Sequence, residues 1–312
     1  MAPERILVIK LGAMGDWVLA TGPFAAIRAH HRAAEITLLT LPEFAGWGGG
    51  CGWFDRVWTD NRPGWWRPGA WLAQCRRLAA AGFVRAYDLQ TSDRSSLLFH
   101  LWPRPRPEWS GIARGCTHPH TNPRRDFMHT VERQAEQLAM AGIAQVPPPS
   151  LDWLDGDLAG LEVPARCALL VPGGSAHRPG KRWPAGSYAE LARGLGARGV
   201  VPLLIGAGPE AEVLARIAAA VPGARDLGGR LSLGQIAALA RRAEVAVGND
   251  TGPMHVVATA GCPSVVLFSA DSDPALCAPR GPAVRVLRRQ PLADLGVEEV
   301  ESALPDRACV KG

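Results

Sequence analysis

The stretch LVIKLGAMGDWVLATGP, residues 7–23, decides the fold of the N-terminal half. It starts as an apolar run, breaks at Gly12 and Gly15, and has the pattern of a helix from about Trp17. A strand, a glycine turn and a helix in this order are typical of a parallel α/β unit whose turn binds phosphate. This turn does not match GxGxxG, however, and it carries a carboxylate, Asp16, that would repel a diphosphate at close range. We therefore predict that the phosphate site lies elsewhere.

The composition is that of a folded protein. The 312 residues suffice for two domains of about 150 residues each, and 47% apolar and 20% charged residues are ordinary values. No apolar run reaches the roughly 18 residues that a membrane span needs, and the segment MAPERILVIK lacks the features of a signal peptide. The seven cysteines form no CxxC pair, which favours a reducing compartment. We expect a cytoplasmic protein.

Strand-like runs alternate with longer helical stretches along the whole chain. Strands are predicted at 5–11, 35–41, 56–59, 86–90, 109–113, 167–172, 201–206, 224–227, 245–248, 264–268 and 284–288. Helices are predicted at 17–31, 70–82, 129–142, 187–198, 209–220, 232–242 and 252–260, with a terminal helix around VEEVESAL. This alternation predicts α/β domains with parallel sheets covered on both faces. The prolines of VPPPS, residues 146–150, predict a linker between domain 1–150 and domain 151–312. We expect ligands in a cleft between two Rossmann-like domains, at the carboxyl ends of the strands.

The loop GNDTGPMH, residues 248–255, follows a predicted strand and opens a helix. Thr251 and Gly252 lie at the helix start, where free backbone N–H groups and the helix dipole favour an anion. His255 is suited to donate to a phosphate or a sugar hydroxyl, or to a structural role. Asp250 has the alternative interpretation of a plain helix N-cap.

The loop PGGSAHRPGKRWP, residues 172–184, also follows a predicted strand. It combines glycines with Ser175 and with Lys181, one of only three lysines in a chain that has 31 arginines. A lysine in such a composition indicates that a compact point charge is needed, and lysine commonly serves phosphates in this way. The loop is not a P-loop, because Arg182 follows the lysine. A solvated surface lysine is the alternative.

The loop LIGAGPEAE, residues 204–212, is a third strand end that opens a helix. Glu210 falls in the first helical turn, where a carboxylate is favourable in any helix. It is equally able to hold a ribose diol through two hydrogen bonds.

Asp16 likewise has two interpretations. Facing a ligand, it could take a proton from an acceptor hydroxyl as a general base. The alternative is a helix cap.

The order of these loops resembles that of a known family. The segments KLGAMGDWVLATGP, PGGS…GKRWP, IGAGPEAE and GNDTGPMHVVATAG are similar to motifs of family 9 glycosyltransferases, which include the ADP-heptose:lipopolysaccharide heptosyltransferases. The segments 126–138 and 268–281 add to a resemblance that covers nearly the whole chain, although FSADSDP departs from the more usual GPTDP form. The resemblance implies a GT-B architecture with the acceptor on the N-terminal domain and the nucleotide sugar on the C-terminal one. It also implies inverting transfer without a required metal or cofactor, with ADP-heptose as the donor substrate.

The resemblance implies roles for single residues. Asp16 matches the proposed catalytic base. The positions that match contacts to the nucleotide sugar are Ser175 and Lys181 at the diphosphate, Glu210 at the ribose, Leu231 at the nucleobase, and Asp250, Thr251, Gly252 and His255 at the sugar and diphosphate.

The N-terminal half is basic. Thirteen arginines and six acidic residues lie between Arg56 and Arg133, a local charge of +7. The absence of a lysine run or RNA-binding signature disfavours nucleic acid, and an acidic small or lipid-linked partner on the N-terminal half fits better. Arginines scattered over a solvated face are the alternative. The acceptor that the resemblance implies, the acidic inner core of lipopolysaccharide, would suit Arg62, Arg67, Arg94, Arg124 and Arg125.

Tryptophans are also concentrated in this half. Nine of the eleven lie before residue 110, and some could stack on sugars or touch the inner face of the membrane as a peripheral contact. Burial in the core is the commoner fate of this residue.

Other functions remain open at this point. A transferase of the same fold could use another nucleotide sugar or a protein acceptor. An NAD-dependent oxidoreductase is opposed by the missing GxGxxG, and a catalytically silent nucleotide-sugar-binding protein is opposed by Asp16 and Lys181.

Two sequences have a loose likeness to metal sites. DSD at 271–273 resembles a metal-binding DxD but is expected to form a turn before Pro274. Cys116, His118 and His120 lack a convincing fourth zinc ligand. We expect no metal.

Overall fold

The computed structural model describes residues 3–174 and 178–305. The chain divides into two α/β units, Met1–Pro149 and Ser150–Gly312. The boundary falls within the predicted linker 146–150.

The N-terminal unit is built on six parallel strands. They are β1 (Arg5–Ile9), β2 (Glu35–Thr40), β3 (Arg56–Thr59), β4 (Arg85–Asp88), β5 (Glu108–Gly111) and β6 (His118–Pro119), in the order β3-β2-β1-β4-β5-β6. The helices are α1 (Met14–Leu19), α2 (Thr21–His30), α3 (Ala45–Gly50), α4 (Pro68–Ala80), α5 (Asp93–Leu101) and α6 (Thr130–Met140). Central strand β1 reads as an unbroken apolar run because Ile6 to Ile9 are buried on both faces. Leu7 pairs with Thr37 on one side and Ala86 on the other.

The C-terminal unit repeats this plan. Its strands are β7 (Cys167–Val171), β8 (Val201–Leu204), β9 (Arg225–Asp226), β10 (Val245–Asn249), β11 (Ser264–Phe268) and β12 (Val284–Arg288), in the order β12-β11-β10-β7-β8-β9. The helices are α7 (Ala185–Ala197), α8 (Ala211–Ala220), α9 (Leu233–Arg242), α10 (Gly252–Thr259), α11 (Pro274–Cys277) and α12 (Val297–Ser302). Trp183 and Tyr188 are fully buried, with ring centroids 4.9 Å apart, in the core between sheet and helices.

Both units have the doubly wound strand order of Rossmann-like folds, in which ligands bind where the winding direction reverses. The reversal lies between β1 and β4 in the first unit and between β7 and β10 in the second. The prediction of two Rossmann-like α/β domains is confirmed. Each predicted strand is present, with ends that differ by up to two residues. No helix in the described part of the chain is long and apolar enough to cross a membrane.

The predicted helix 17–31 is wrong in its details. Helix α1 already begins at Met14, and Leu19 ends it before α2 starts at Thr21. Pro23 has no N–H group to bond the carbonyl of residue 19, so a continuous helix would lack that hydrogen bond. The Thr21 hydroxyl instead donates to the carbonyl of Val18 at 2.7 Å.

The tryptophans of the N-terminal unit are mostly core residues. Trp17 is fully buried and makes edge contacts with Phe24 and Trp47, with centroids 5.2 Å and 5.1 Å apart. Trp65 and Trp66 are different, being 61% and 82% exposed.

Candidate functional site

Asp16 lies in the first turn of α1, beyond the carboxyl end of β1. The N-cap is Ala13, so the alternative that Asp16 caps the helix is wrong. The half-buried Asp16 side chain folds over Gly12, where an added Cβ atom would lie only 2.8 Å from Oδ2. Glycine at position 12 therefore leaves the space that the carboxylate occupies.

The loop before Asp16 is held by two side chains. The N–H of Leu11 donates to Gln90 Oε1 at 2.8 Å, and the Leu11 carbonyl accepts from Arg62 Nη2. Both main-chain groups of Leu11 are therefore fixed by residues from other loops at the same edge of the sheet.

Lys10 is a buried ammonium next to this loop, only 3% exposed. Its Nζ donates to the carbonyl of Leu89 at 3.2 Å. Burial lowers the pKa of Lys10, and the negative charges of Asp16 and Asp88 oppose this shift. Sequence reasoning missed Lys10, although the rarity of lysine that singled out Lys181 applies equally to it.

Asp88, at the end of β4, is completely buried. Burial raises its pKa to about 6, against the backbone N–H groups of Thr91 and Gln90, which favour the charged form. These N–H groups donate to Asp88 Oδ1 at 3.0 Å and 3.1 Å. Asp88 thus shapes the loop that carries Gln90.

Two of the arginines predicted as acceptor ligands have protein partners. Arg94 donates to both oxygens of buried Asp60, through Nη2 at 2.8 Å and Nε at 3.1 Å, and its Cζ lies 4.4 Å from the centre of the Trp71 ring. The N–H of Arg62 donates to the same Asp60 at 2.7 Å. Arg62 and Arg94 therefore help to hold the Leu11 loop, and their contact with an acceptor stays a prediction.

The other predicted arginines differ in exposure. Arg67, before α4, and Arg124 are exposed, and Arg125 is half-buried. Their acceptor contacts also stay predictions.

In the C-terminal unit, the predicted nucleotide-sugar residues lie beyond the carboxyl ends of neighbouring strands. The adjacent strands β10, β7, β8 and β9 lead into the segments that carry these residues. Parallel strands bring such segments to one edge of the sheet. Ser175 lies outside the described residues.

Lys181 and Asp250 form an ion pair at this edge. Lys181 Nζ lies 2.7 Å from Asp250 Oδ2, which also accepts from the Ser272 hydroxyl at 2.6 Å. The Lys181 and Asp250 side chains are 11% and 9% exposed, so the alternative of a solvated surface lysine is wrong. Because Lys181 compensates Asp250, the carboxylate does not stand as a bare charge beside an incoming anion. Ser272 was not predicted.

Helix α10 begins next to this pair. Its N-cap is Thr251, so the alternative that Asp250 is the cap is wrong. Thr251 makes no side-chain cap bond, and its buried hydroxyl has no hydrogen-bond partner among residues 3–174 and 178–305. His255 is buried one turn further along. The helix start thus offers free backbone N–H groups and a hydroxyl for a ligand.

Asn249 organises the loops around the ion pair. This fully buried residue at the end of β10 donates to the carbonyls of Pro172 and Gly173, both at 2.9 Å. Its Oδ1 accepts from the N–H of Trp183 and the hydroxyl of Tyr188, both at 3.1 Å. Sequence reasoning missed this role of Asn249.

Glu210 ends a 3-10 turn before α8. Its Oε2 accepts from the N–H of Ala207 at 2.7 Å, which is the local role that any carboxylate can take at a helix start. Its Cγ would lie 2.8 Å from a Cβ atom at Gly173, so the side chain reaches the β7 loop. Leu231 is half-buried and lies two residues beyond Gly229, whose N–H donates to the Gly206 carbonyl at 2.9 Å. The ribose and nucleobase contacts stay predictions.

The two loose metal-site likenesses have other partners. Cys116 contacts the Gly111 carbonyl, His118 pairs with Glu108 and His120 with Glu136. The DSD segment, residues 271–273, forms a turn. Its last residue, Asp273, is the N-cap of α11 and accepts from the N–H of Ala275 at 3.1 Å. Within the described ranges, no group of three or more His, Cys, Asp or Glu residues is placed to hold a metal ion.

Two doubly wound units, with polar and charged residues beyond the carboxyl ends of their central strands, define a two-domain α/β protein of the Rossmann-like class. Comparison with known proteins narrows this class. Residues 71–303 match the model of glycosyltransferase family 9 (heptosyltransferase), and the chain belongs to this family.

Part of the chain is similar in sequence to a curated heptosyltransferase. Over 120 residues the chain is 35% identical to lipopolysaccharide heptosyltransferase 2 of Escherichia coli (strain K12), a match that covers 37% of this chain and 34% of that protein. The match thus spans about a third of the length of this curated relative.

Solved structures show the same fold over almost the whole chain. E. coli ADP-heptose LPS heptosyltransferase II is 23% identical, with a TM-score of 0.78 over 96% of this chain and 97% of that one. A family 9 glycosyl transferase from Veillonella parvula DSM 2008 is 21% identical, with a TM-score of 0.81 over 96% and 95%. At these identities the likeness is one of fold.

Proposed function

We propose that this protein is an inverting glycosyltransferase that moves heptose from ADP-heptose onto a hydroxyl group of an acidic glycan, such as the inner core of lipopolysaccharide. Membership of family 9 supports the class of reaction. A similar fold in an enzyme described as an ADP-heptose LPS heptosyltransferase supports the donor and the acceptor.

The observation that carries the proposal is the Lys181–Asp250 pair beside the start of α10. A leaving diphosphate gains negative charge in the transition state, and fixed cations and N–H groups stabilise such charge with little reorganisation. Lys181 and the N–H groups at the start of α10 are donors of this kind. Asp250 and Ser272 hold Lys181 in place before the donor binds.

Asp16 is the proposed general base. It takes the proton of the acceptor hydroxyl while the oxygen bonds to the anomeric carbon and the bond from that carbon to the diphosphate breaks. The products are the glycosylated acceptor with inverted configuration and ADP. Arg62 supports this step indirectly, because it fixes the loop before Asp16.

The acceptor is proposed to be lipid-linked at the cytoplasmic face of the inner membrane. The exposed rings of Trp65 and Trp66, close in sequence to Arg62 and Arg67, support such a surface. Arginines are suited to the region of lipid headgroups, and so are aromatic residues that have a polar edge.

A transfer assay tests the proposal. Purified protein is given ADP-heptose and a heptose-free inner-core acceptor, and ADP release is measured for wild type and Asp16→Asn. We expect turnover by wild type and a loss of kcat of roughly 10²-fold or more in the variant, with donor binding retained. Asp93→Asn is the matched control, since exposed Asp93 occupies the first turn of α5 as Asp16 does in α1. Absence of ADP release by wild type, or equal losses in both variants, would contradict the proposal.

A further inference from the structure

Two residues other than glycine have a left-handed backbone in the described part of the chain. They are Arg62, with a φ of 48°, and Thr91, with a φ of 45°. This conformation is uncommon for any residue that has a Cβ atom, and it is strained for a β-branched residue such as threonine. Residues of this kind cluster at functional sites, where the contacts around them maintain the strain.

The loops that contain these two residues contact the same main-chain segment. Leu11 directly follows Lys10 at the end of β1, and both of its main-chain groups bond side chains. Its N–H donates to Gln90 Oε1 at 2.8 Å, and its carbonyl accepts from Arg62 Nη2. Gln90 immediately precedes Thr91 in the sequence. The chain before the Asp16 loop is therefore held on both sides by loops with a left-handed residue.

The turn that carries Gln90 is itself firmly held. The N–H groups of Gln90 and Thr91 donate to Oδ1 of the fully buried Asp88, at 3.1 Å and 3.0 Å. The carbonyl of Leu89 accepts from Gln134 Nε2 of α6 at 3.2 Å. These bonds fix the turn on both sides of Gln90, which explains how Thr91 can keep a strained backbone.

Gly12 connects Leu11 to the proposed base. A Cβ atom at Gly12 would lie 2.8 Å from Oδ2 and 2.9 Å from Cβ of Asp16, so the backbone of Gly12 packs directly against the Asp16 side chain. A displacement of Leu11 moves Gly12 with it and changes the space in which the carboxylate lies. The printed contacts thus form a continuous series from Gln90 through Leu11 and Gly12 to Asp16.

We propose that Gln90 is a positioning residue for the transfer reaction, which holds the proposed base in place through the main chain of Leu11 and Gly12. The strained turn at Thr91 keeps Gln90 at the distance that the Leu11 N–H requires. The inference rests on the proposed function, because it concerns a reaction in which Asp16 is the base. Reaction rates depend steeply on the position of such a group.

A double-mutant cycle tests this role. We measure kcat by ADP release for wild type, Gln90→Met, Asp16→Asn and the variant that combines both changes. Methionine fills a similar volume but offers no oxygen to the Leu11 N–H. We expect Gln90→Met to lower kcat roughly 10- to 100-fold in the wild-type background. In the Asp16→Asn background it should lower kcat less than twofold, because both changes act on the same group. Equal losses in the two backgrounds overturn the proposal.

Gln235→Met is the matched control. Gln235 Oε1 accepts from the N–H of Ser232 at 2.9 Å at the start of α9, so this change removes the same kind of bond from the C-terminal unit. We expect its kcat to stay within twofold of wild type. Gln90→Glu keeps an oxygen for the Leu11 N–H and should retain more activity than Gln90→Met. Equal losses in Gln90→Met and Gln235→Met, or in the two Gln90 variants, overturn the proposal.

Thr91→Gly separates stability from positioning. Glycine adopts a positive φ without strain, so this variant should unfold at a higher temperature than wild type. Because the turn and Gln90 stay in place, kcat should remain within twofold. A lower unfolding temperature, or a loss of kcat as large as that of Gln90→Met, overturns the role assigned to the turn.

A readout that needs no turnover is the ¹³Cγ NMR signal of Asp16, which is assigned by its disappearance in Asp16→Asn. We expect this signal to shift in Gln90→Met and to stay unchanged in Gln235→Met. An unchanged signal in Gln90→Met overturns the proposal. Should wild type transfer no sugar, the proposed function fails, while this signal still decides whether Gln90 fixes Asp16.

Discussion

Gly12→Ala should displace the proposed base while leaving the chain folded. A Cβ atom at residue 12 would lie 2.8 Å from Oδ2 and 2.9 Å from Cβ of Asp16. Non-bonded atoms of this kind prefer separations of about 3.5 Å or more, so the side chain must move by roughly 0.6 Å. Because the Asp16 Cβ is fixed to the backbone, the start of α1 must shift with it. Misplacement of reacting groups by about 1 Å lowers rates by roughly 10²-fold, and we expect kcat to fall about 10- to 100-fold.

The assay is ADP release in the transfer reaction, with donor affinity and thermal unfolding measured on the same samples. Overpacking is expected to lower the free energy of unfolding by about 1–3 kcal/mol. Gly46→Ala in α3 is the control, because a Cβ atom there meets nothing within 4 Å, and a helical alanine adds roughly 0.5–1 kcal/mol of stability. A Gly12→Ala enzyme with kcat within twofold of wild type would contradict the role of Asp16 as the general base.

Two further predictions concern Glu210 and Asp88. Gly173→Ala would place a Cβ atom 2.8 Å from Glu210 Cγ, so we expect the donor KM to rise about tenfold and the acceptor KM to stay unchanged. In the control Gly186→Ala, where a Cβ atom meets nothing within 4 Å, both KM values should stay unchanged. An unchanged donor KM in Gly173→Ala would argue against a ligand at Glu210. Burial raises the pKa of Asp88 to about 6, above its unfolded value of about 3.9. The folded state therefore holds this proton more tightly, and the resulting stability is present below about pH 4 and lost as the pH rises through about 6. We measure the free energy of unfolding in urea for wild type and Asp88→Asn. The value for Asp88→Asn minus that for wild type should rise by on the order of 2–3 kcal/mol between pH 4 and pH 7. A difference that does not change with pH would contradict burial as the cause of the raised pKa.

Strands β1, β7 and β11 were predictable because each is a short, nearly continuous apolar run. These three strands are buried on both faces, so nearly all of their residues are apolar and the sequence alone indicates the burial. Strand β6 is only two residues long, His118–Pro119, and was not predicted. Turns and prolines between the runs then set the domain boundary.

Helices whose local sequence gives a misleading signal were missed. Helix α3, AGWGGG, is rich in glycine, and Gly48 is needed because a Cβ atom there would lie 2.8 Å from Leu38 Cδ2. Packing against the sheet overrides its poor helix propensity. Helix α5 starts with a capping box in which Ser95 takes the place usually held by Glu or Gln.

The loops of the candidate site were predictable from the chemistry of single residues at strand ends. Their partners were not, because the contacts join residues far apart in the sequence. Ser272 bonds Asp250 across 22 positions, and Asn249 bonds Pro172 across 77 positions.

The most direct test of the account is nucleotide binding by calorimetry, with ADP, UDP, GDP and NAD added to wild type and to Lys181→Ala. Loss of Lys181 removes a charge-assisted contact and leaves Asp250 uncompensated, so ADP binding should weaken by at least about tenfold. Lys181→Ala combined with Asp250→Asn should recover part of this loss, because the added repulsion disappears.

We expect wild type to prefer ADP and Lys181→Ala to bind it poorly. A preference for NAD, or equal ADP affinity in wild type and Lys181→Ala, would contradict the proposed function.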